Sequence, residues 1–208
     1  MVDDIPKSLA DLSDRKLRTK LLEKEHVFPL TYFVQKIRNE RELEREVPDF
    51  DPLDGGIHAE CLFLLEAPGP KAVQSGFVSR NNPDETAKNF FNFNQEVDIP
   101  RQKTIIWNVV PWYIGSEKKI RAAQQKDIQQ GLAYTHQLIA LLPQLKNIVL
   151  FGKKAQAIKN ELSEHYKGLV IITSPHPSPM FVNRKKQNKE SIISALKRAK
   201  IELGLGRE

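Results

Sequence analysis

The chain has 208 residues, of which 40% are hydrophobic and 28% charged, values that fit one domain of ordinary size better than two. It contains no run near the ~20 apolar residues of a transmembrane helix, its acidic N-terminus does not resemble a secretory signal, and its one cysteine, Cys61, excludes an internal disulfide or a self-contained iron–sulfur cluster. We therefore expect a monomer without membrane contact, metal or cofactor, located in the cytoplasm or, in a eukaryote, in the nucleus.

Residues 1–55 are predicted to form a helical N-terminal extension packed on the rest of a single domain that spans 1–208. Residues 5–25 are charged with scattered leucines, and residues 30–47 begin with apolar side chains at helical spacing. Asp, Pro and Gly cluster in residues 49–56, which predicts a loop.

Four short apolar runs without alternation follow, a pattern typical of strands buried on both faces. They are Cys61-Leu-Phe-Leu-Leu65, Thr104-Ile-Ile-Trp-Asn108, Ile148-Val-Leu-Phe151 and Leu169-Val-Ile-Ile-Thr173. Helical signals lie between and after them, in residues 82–91, 117–142, 153–166 and 188–203, and the first of these helices is expected to have Asn82 as its N-cap. This alternation predicts an α/β fold: a central, mostly parallel four-stranded sheet with helices on both faces.

Unusual polar, Pro and Gly residues come directly after the strands. They lie in Glu66-Ala-Pro-Gly-Pro70, in Asn108-Val-Val-Pro-Trp-Tyr113, at Gly152 and in Ser174-Pro-His-Pro-Ser-Pro179. Ligands of such sheets bind beyond the carboxyl ends of the strands, so we expect these segments to meet in one site.

Three of these positions can carry chemistry. Glu66 is a carboxylate held on a sharp turn, although a helix cap or a loop salt bridge would use the same residue. Asn108 offers a donor and an acceptor that match O4 and N3–H of uracil and refuse cytosine, although an Asn here could equally tie down the following turn. His176 lies in a loop that three prolines stiffen, which favours a functional role over a structural one.

Two further features have open alternatives. Phe77 could stack on a flipped base or anchor the core beneath a loop. The excess of Lys and Arg, 32 against 26 Asp and Glu, gives a charge of +6, and much of it lies between residues 180 and 200. That cluster fits either a polyanion partner or a solvated helix face.

Together, Glu66-Ala-Pro-Gly69, Asn108-Val-Val110, Ile148-Val-Leu-Phe-Gly152 and His176-Pro-Ser-Pro179 resemble, in order and in spacing, the motifs of the uracil-DNA glycosylase superfamily. The likeness is greatest to its thermophile-type iron–sulfur branch, whose first motif reads Gly-Glu-Ala-Pro-Gly. It covers residues 61–184. The first Gly of that motif is Leu65 here, and the cluster cysteines are absent, so the chain resembles a relative without a cluster.

The resemblance implies a monofunctional DNA glycosylase that flips uracil out of single- or double-stranded DNA and hydrolyses its N-glycosidic bond in base excision repair. It implies that Glu66 activates water, that His176 stabilises the leaving base, and that Asn108 and Phe77 bind the base. The turn of Ala67, Pro68 and Gly69 would line the pocket. DNA would be held by the residues of and after the His loop: Ser178, Met180, Phe181, Arg184, Lys185 and Lys186.

Two alternatives remain at this stage. Gly69 stands where the most familiar branch of the superfamily has a Tyr that excludes the methyl group of thymine, so a roomier pocket could take a deaminated purine such as hypoxanthine or xanthine. The other alternative is a catalytically inactive DNA-binding protein on the same scaffold, because fold does not guarantee function.

Overall fold

The computed structural model describes residues 4–115 and 121–206. The strands, in chain order, are β1 (Asp49–Phe50), β2 (Cys61–Leu65), β3 (Phe77–Val78), β4 (Thr104–Asn108), β5 (Asn147–Phe151) and β6 (Val170–Ser174). The helices are α1 (Leu12–Leu21), α2 (Phe28–Arg41), α3 (Pro70–Ser75), α4 (Glu85–Val97), α5 (Gln125–Ala140), α6 (Gly152–Gln156), α7 (Lys159–His165), α8 (Pro179–Val182) and α9 (Lys186–Glu202). Within these described ranges, no helix is long and apolar enough to cross a membrane.

The main sheet has four strands in the order β4-β2-β5-β6, and every neighbouring pair is parallel. The predicted fold class is therefore confirmed. The chain leaves β2 towards one edge of the sheet and leaves β5 towards the other. Parallel sheets bind ligands at the point where the direction of winding reverses, which lies here beyond the ends of β2 and β5.

Aromatic side chains fill the core on both faces of the sheet. On one face, the ring of Phe63 packs edge-on against that of Phe90 from α4, with the centroids 5.1 Å apart. On the other face, Trp107 stacks on Phe50 at 3.8 Å. Successive strand residues point to opposite faces, so the unbroken apolar runs follow from burial on both sides.

Helix boundaries differ from the predicted ones where polar side chains set them. Asp84, not Asn82, caps α4, because its Oδ1 accepts the backbone N–H of Ala87 at 2.9 Å, whereas the Asn82 amide bonds Ser75 and the Phe77 carbonyl. A capping box of Gln124 and Asp127 starts α5 at residue 125, so residues 121–124 of the predicted helix are not helical, and residues 116–120 lie outside the described ranges.

Three other expectations need correction. The predicted helix over 153–166 is two helices, α6 and α7, separated at Ile158, whose side chain is buried. The predicted helix over 30–47 begins at Phe28 and ends at Arg41, where Glu42 adopts a left-handed conformation. The predicted loop over 49–56 contains β1, which pairs in parallel with β3.

Candidate active site

A cavity of about 390 Å³ lies beyond the carboxyl ends of the strands. That volume falls within the range of small-ligand sites. Of the residues predicted to form the site, the cavity brings together five: Ala67, Pro68, Gly69, Asn108 and His176.

His176 has a fixed tautomer in this cavity. Its Nδ1 accepts the backbone N–H of Ser178 at 3.2 Å, so in the neutral ring the proton is on Nε2. Burial lowers the pKa of His176, although the charges of Glu66 and Asp84 act in the opposite direction. The result is a neutral imidazole that can donate a hydrogen bond from Nε2.

Contacts from two helices hold the His176 loop. Asn89 of α4 donates to the carbonyl of Pro177 at 3.0 Å, and Gln156 of α6 donates to the carbonyl of Ser174 at 2.8 Å. At Gly152, a side chain would have its Cβ 3.1 Å from the Cβ of His176, and the backbone φ of +83° already favours glycine. The absence of a side chain at Gly152 therefore lets the His176 loop pack closely against the end of β5.

Asn108 ends β4 with its side chain 4% exposed. Its Nδ2 has no hydrogen-bond partner among the described residues, and the side chain lines the cavity. Because no hydrogen bond joins this amide to the following turn, the turn-stabilising alternative is not what the structure shows. A buried donor left unpaired costs roughly 1–3 kcal/mol, a cost that a ligand with a suitable acceptor would remove.

Glu66 lies beside the cavity and not in its lining. Its Oε1 accepts a hydrogen bond from the backbone N–H of Ala123 at 2.6 Å. The carbonyl of Ala123 in turn accepts a hydrogen bond from Nζ of Lys154 at 2.5 Å. The bond from the Ala123 N–H uses one lone pair of Oε1, and the remaining lone pairs of the carboxylate could accept a hydrogen bond from water.

Phe77 is not in the cavity lining. Its side chain is 2% exposed because it belongs to β3, whose pairing with β1 fixes it in the interior. The structure therefore favours the core-anchor interpretation over base stacking. Among the described residues, the phenyl ring that lines the cavity is that of Phe90 of α4, which the sequence analysis did not predict.

The family model for the Uracil DNA glycosylase superfamily matches residues 52–200, most of the chain. The chain belongs to this superfamily. A solved structure that it resembles is the solution NMR structure of a "putative Uracil DNA glycosylase" from Methanosarcina acetivorans, 15% identical, covering 68% of this chain and 91% of that one, with a TM-score of 0.45. No curated protein matches the chain.

Three charged residues of this superfamily member also line the cavity and were not predicted: Lys71, Arg80 and Asp84. Arg80 is 4% exposed, its Nη2 donates to Oγ1 of Thr104 at 2.7 Å, and its guanidinium lies 5.8 Å from the centroid of Phe90. Asp84 lines the cavity at the start of α4. Its segment was recognised as the start of a helix, and no periodicity could show that this start faces a pocket.

The superfamily acts on DNA, and a second groove, of about 540 Å³, adjoins the cavity through their shared residue His176. Ser178, Met180, Phe181 and Arg184 line this groove. Met180 is 84% exposed, whereas Phe181 is half-buried, and Arg184, Lys185 and Lys186 are exposed.

Potential metal ligands are scattered in the part of the chain that the structure describes. Within residues 4–115 and 121–206, no group of three or more His, Cys, Asp or Glu side chains could hold a metal ion. Burial raises the pKa of the Cys61 thiol, which keeps it protonated. A cluster of the kind found in the iron–sulfur branch therefore does not fit this chain.

Proposed function

We propose that this protein is a monofunctional DNA glycosylase that flips uracil out of DNA and hydrolyses its N-glycosidic bond. The observation that carries the proposal is the unpaired Nδ2 of buried Asn108, in the same cavity as a neutral His176 with its proton on Nε2. Uracil supplies acceptors for both donors, O4 for the amide and O2 for the imidazole.

The chemistry needs charge stabilisation at the leaving base. As the glycosidic bond breaks, negative charge builds on the base, and a hydrogen bond from His176 gains strength in that transition state. The turn of Ala67, Pro68 and Gly69 forms a wall of the pocket with few side-chain atoms. The proposal includes no Schiff-base step, because no lysine takes part in the four motifs. Lys71 lines the cavity from α3, so cleavage of the DNA backbone in the assay below would contradict this part of the proposal.

A second candidate substrate class is the deaminated purines. Gly69 lines the cavity, and a Cβ placed on it would meet no atom within 4 Å, so no side chain closes the pocket at this position. That opening favours a pocket able to admit a base larger than uracil.

The proposed function is tested by single-turnover assays on duplexes containing uracil, hypoxanthine, xanthine or mismatched thymine. We expect uracil to be released fastest and the DNA backbone to stay intact. Faster release of hypoxanthine or xanthine would move the assignment to the second candidate. Release of none of the bases would overturn the proposal.

The exposed residues beyond His176 are proposed to hold the duplex. Met180, the most exposed apolar side chain of the second groove, is proposed as the wedge that fills the space left by the flipped base, because extrusion costs a few kcal/mol of stacking. Arg184, Lys185 and Lys186 are proposed to contact phosphates.

Replacing Arg184, Lys185 and Lys186 together with Gln is expected to weaken binding to every duplex alike. Each phosphate contact contributes about 0.9 to the slope of log affinity against log salt, so the slope should fall by up to about three. Equilibrium binding between low and moderate salt measures it. The matched control replaces Lys16, Lys20 and Lys24 with Gln as well. These three lysines are exposed and line neither the cavity nor the groove. Equal slopes for the two triple variants would show that Arg184, Lys185 and Lys186 do not contact phosphates and form a solvated surface instead.

A further inference from the structure

Two carboxylates act electrostatically on His176, and of these two only Asp84 lines the cavity. The charges of Glu66 and Asp84 both act on the imidazole. Asp84 lines the cavity with His176 and Asn108, whereas Glu66 is outside the lining and gives Oε1 to the backbone of Ala123. A nucleotide in the cavity would therefore meet the carboxylate of Asp84.

Asp84 is oriented by the helix that it begins. Its Oδ1 accepts the N–H of Ala87 at 2.9 Å, which fixes the carboxylate at the N-terminus of α4. Burial raises the pKa of Asp84 above its ordinary value, against the lowering effect of backbone hydrogen bonds from Ala87 and Thr86. A carboxylate with a raised pKa is a better proton acceptor once it is ionised.

The segment before Asp84 is rigid because its amides are fully used. Asn81 accepts Nη1 of Arg101 at 2.6 Å and donates to the carbonyl of Ile5 at 2.7 Å. Asn82 accepts the hydroxyl of Ser75 at 2.6 Å and donates to the carbonyl of Phe77 at 2.8 Å. These bonds hold the chain on the N-terminal side of Asp84, which provides the support that a functional group requires.

We propose that Asp84 is a catalytic residue that holds the attacking water and takes its proton. This inference rests on the proposed glycosylase function. The water oxygen forms a bond to C1′ of the sugar, the bond from C1′ to the base nitrogen breaks, and its electron pair leaves with the base. The carboxylate of Asp84 accepts the proton of the water, and the anionic base, stabilised by His176, is protonated on release.

The variant that separates this role from capping is Asp84→Asn. Asparagine caps helices as well as aspartate does but cannot take a proton. The substitution therefore keeps the start of α4 and removes the general base. We expect the single-turnover rate to fall on the order of 10²-fold or more, the usual contribution of a general base, with the melting temperature nearly unchanged. The matched control is Asp11→Asn, because Asp11 caps α1 through Ser13 N–H at 2.7 Å and lines neither the cavity nor the groove.

The assay is run at about pH 8, above the ordinary pKa of histidine. The charge of Asp84 raises the pKa of His176, so its loss can only lower that pKa. The imidazole is therefore neutral in wild type and in the variant, and a decrease in rate would come from the loss of water activation. Glu66→Gln is measured in parallel.

A large loss in Asp84→Asn with none in Asp11→Asn supports the proposal. An Asp84→Asn variant as fast as wild type overturns it and leaves the glycosylase function standing, and a loss confined to Glu66→Gln assigns the water to Glu66 instead. A wild-type protein that releases none of the tested bases overturns the proposed function and this inference with it.

Discussion

Replacing His176 with alanine is expected to slow single-turnover release of uracil on the order of 10²-fold or more, with DNA affinity nearly unchanged. The reason is that its Nε2–H donor gains strength only when charge develops on the leaving base. In the ground state the flipped base is still neutral, so binding depends on the phosphate contacts and on Asn108. Rates and affinities measured on the same preparation separate the two effects.

The control for this variant is His136→Ala. The His136 ring is half-buried with its Nδ1 2.8 Å from the hydroxyl of Tyr166, and it lines neither the cavity nor the groove. Loss of an imidazole there should leave the rate per folded molecule unchanged. A wild-type rate in His176→Ala would remove His176 from the mechanism, whatever the control shows.

Replacing Asp51 with alanine is expected to lower the free energy of unfolding by about 3–5 kcal/mol. Asp51 is fully buried and pairs with Arg101 at 2.7 Å and with Arg18, and it also accepts the hydroxyl of Ser79. Removing it leaves two buried guanidinium groups without this counter-charge, which costs far more than a lost surface pair. For a protein of this size, each kcal/mol corresponds to roughly 2–4 °C in melting temperature.

The matched control is Glu96→Gln, which breaks a half-exposed pair with Lys189 at 2.8 Å and should cost at most about 1 kcal/mol. Equal losses from the two substitutions would contradict the importance of the buried cluster of Asp51, Arg18 and Arg101.

The pKa of Asp51 predicts how this contribution depends on pH. Burial alone would raise the pKa of Asp51, but Arg101 and Arg18 outweigh it and lower the pKa from 3.8 to about 2. The stabilisation contributed by Asp51 is therefore present above pH 3.8 in wild type and is lost as the pH falls towards about 2. The free energy of unfolding of Asp51→Ala should fall less than that of wild type over that range, since only carboxyls such as Asp127 still lose their contribution there.

The strands of the main sheet could be predicted because burial on both faces leaves a continuous apolar signal. β2 and β4 have the predicted bounds, and β6 is displaced by one residue. The two-residue strands β1 and β3 carry no such signal, since their pairing depends on contacts between distant segments. Helix starts were harder for the same reason: Asn82 and Asp84 are both good caps, and the tertiary contacts of Asn82 decide between them.

The cavity could be predicted as far as the strand ends, because topology alone brings those ends together. Asn108 is the last residue of β4 and His176 comes two residues after β6, and both line the cavity. Asp84 and Phe90 come from α4, whose sequence pattern shows a buried face but not which part of that face remains open to a ligand. For Phe77 the sequence left base stacking and core anchoring equally open, because the pairing of β3 with β1, which buries this side chain, has no local signal.

The buried cluster around Asp51 also bears on how fragments of this protein should be cut. The family match starts at residue 52, just after Asp51 and well beyond Arg18, so a fragment trimmed to that boundary would lose both. Arg101 would keep Asp54 but lose its other fully buried counter-charge, and the backbone N–H of Leu9 would no longer bond the carbonyl of Asn81 at 3.1 Å. The region matched by the family model is thus shorter than the region that supplies the counter-charges of its buried arginines, and expression vectors should retain residues 1–51.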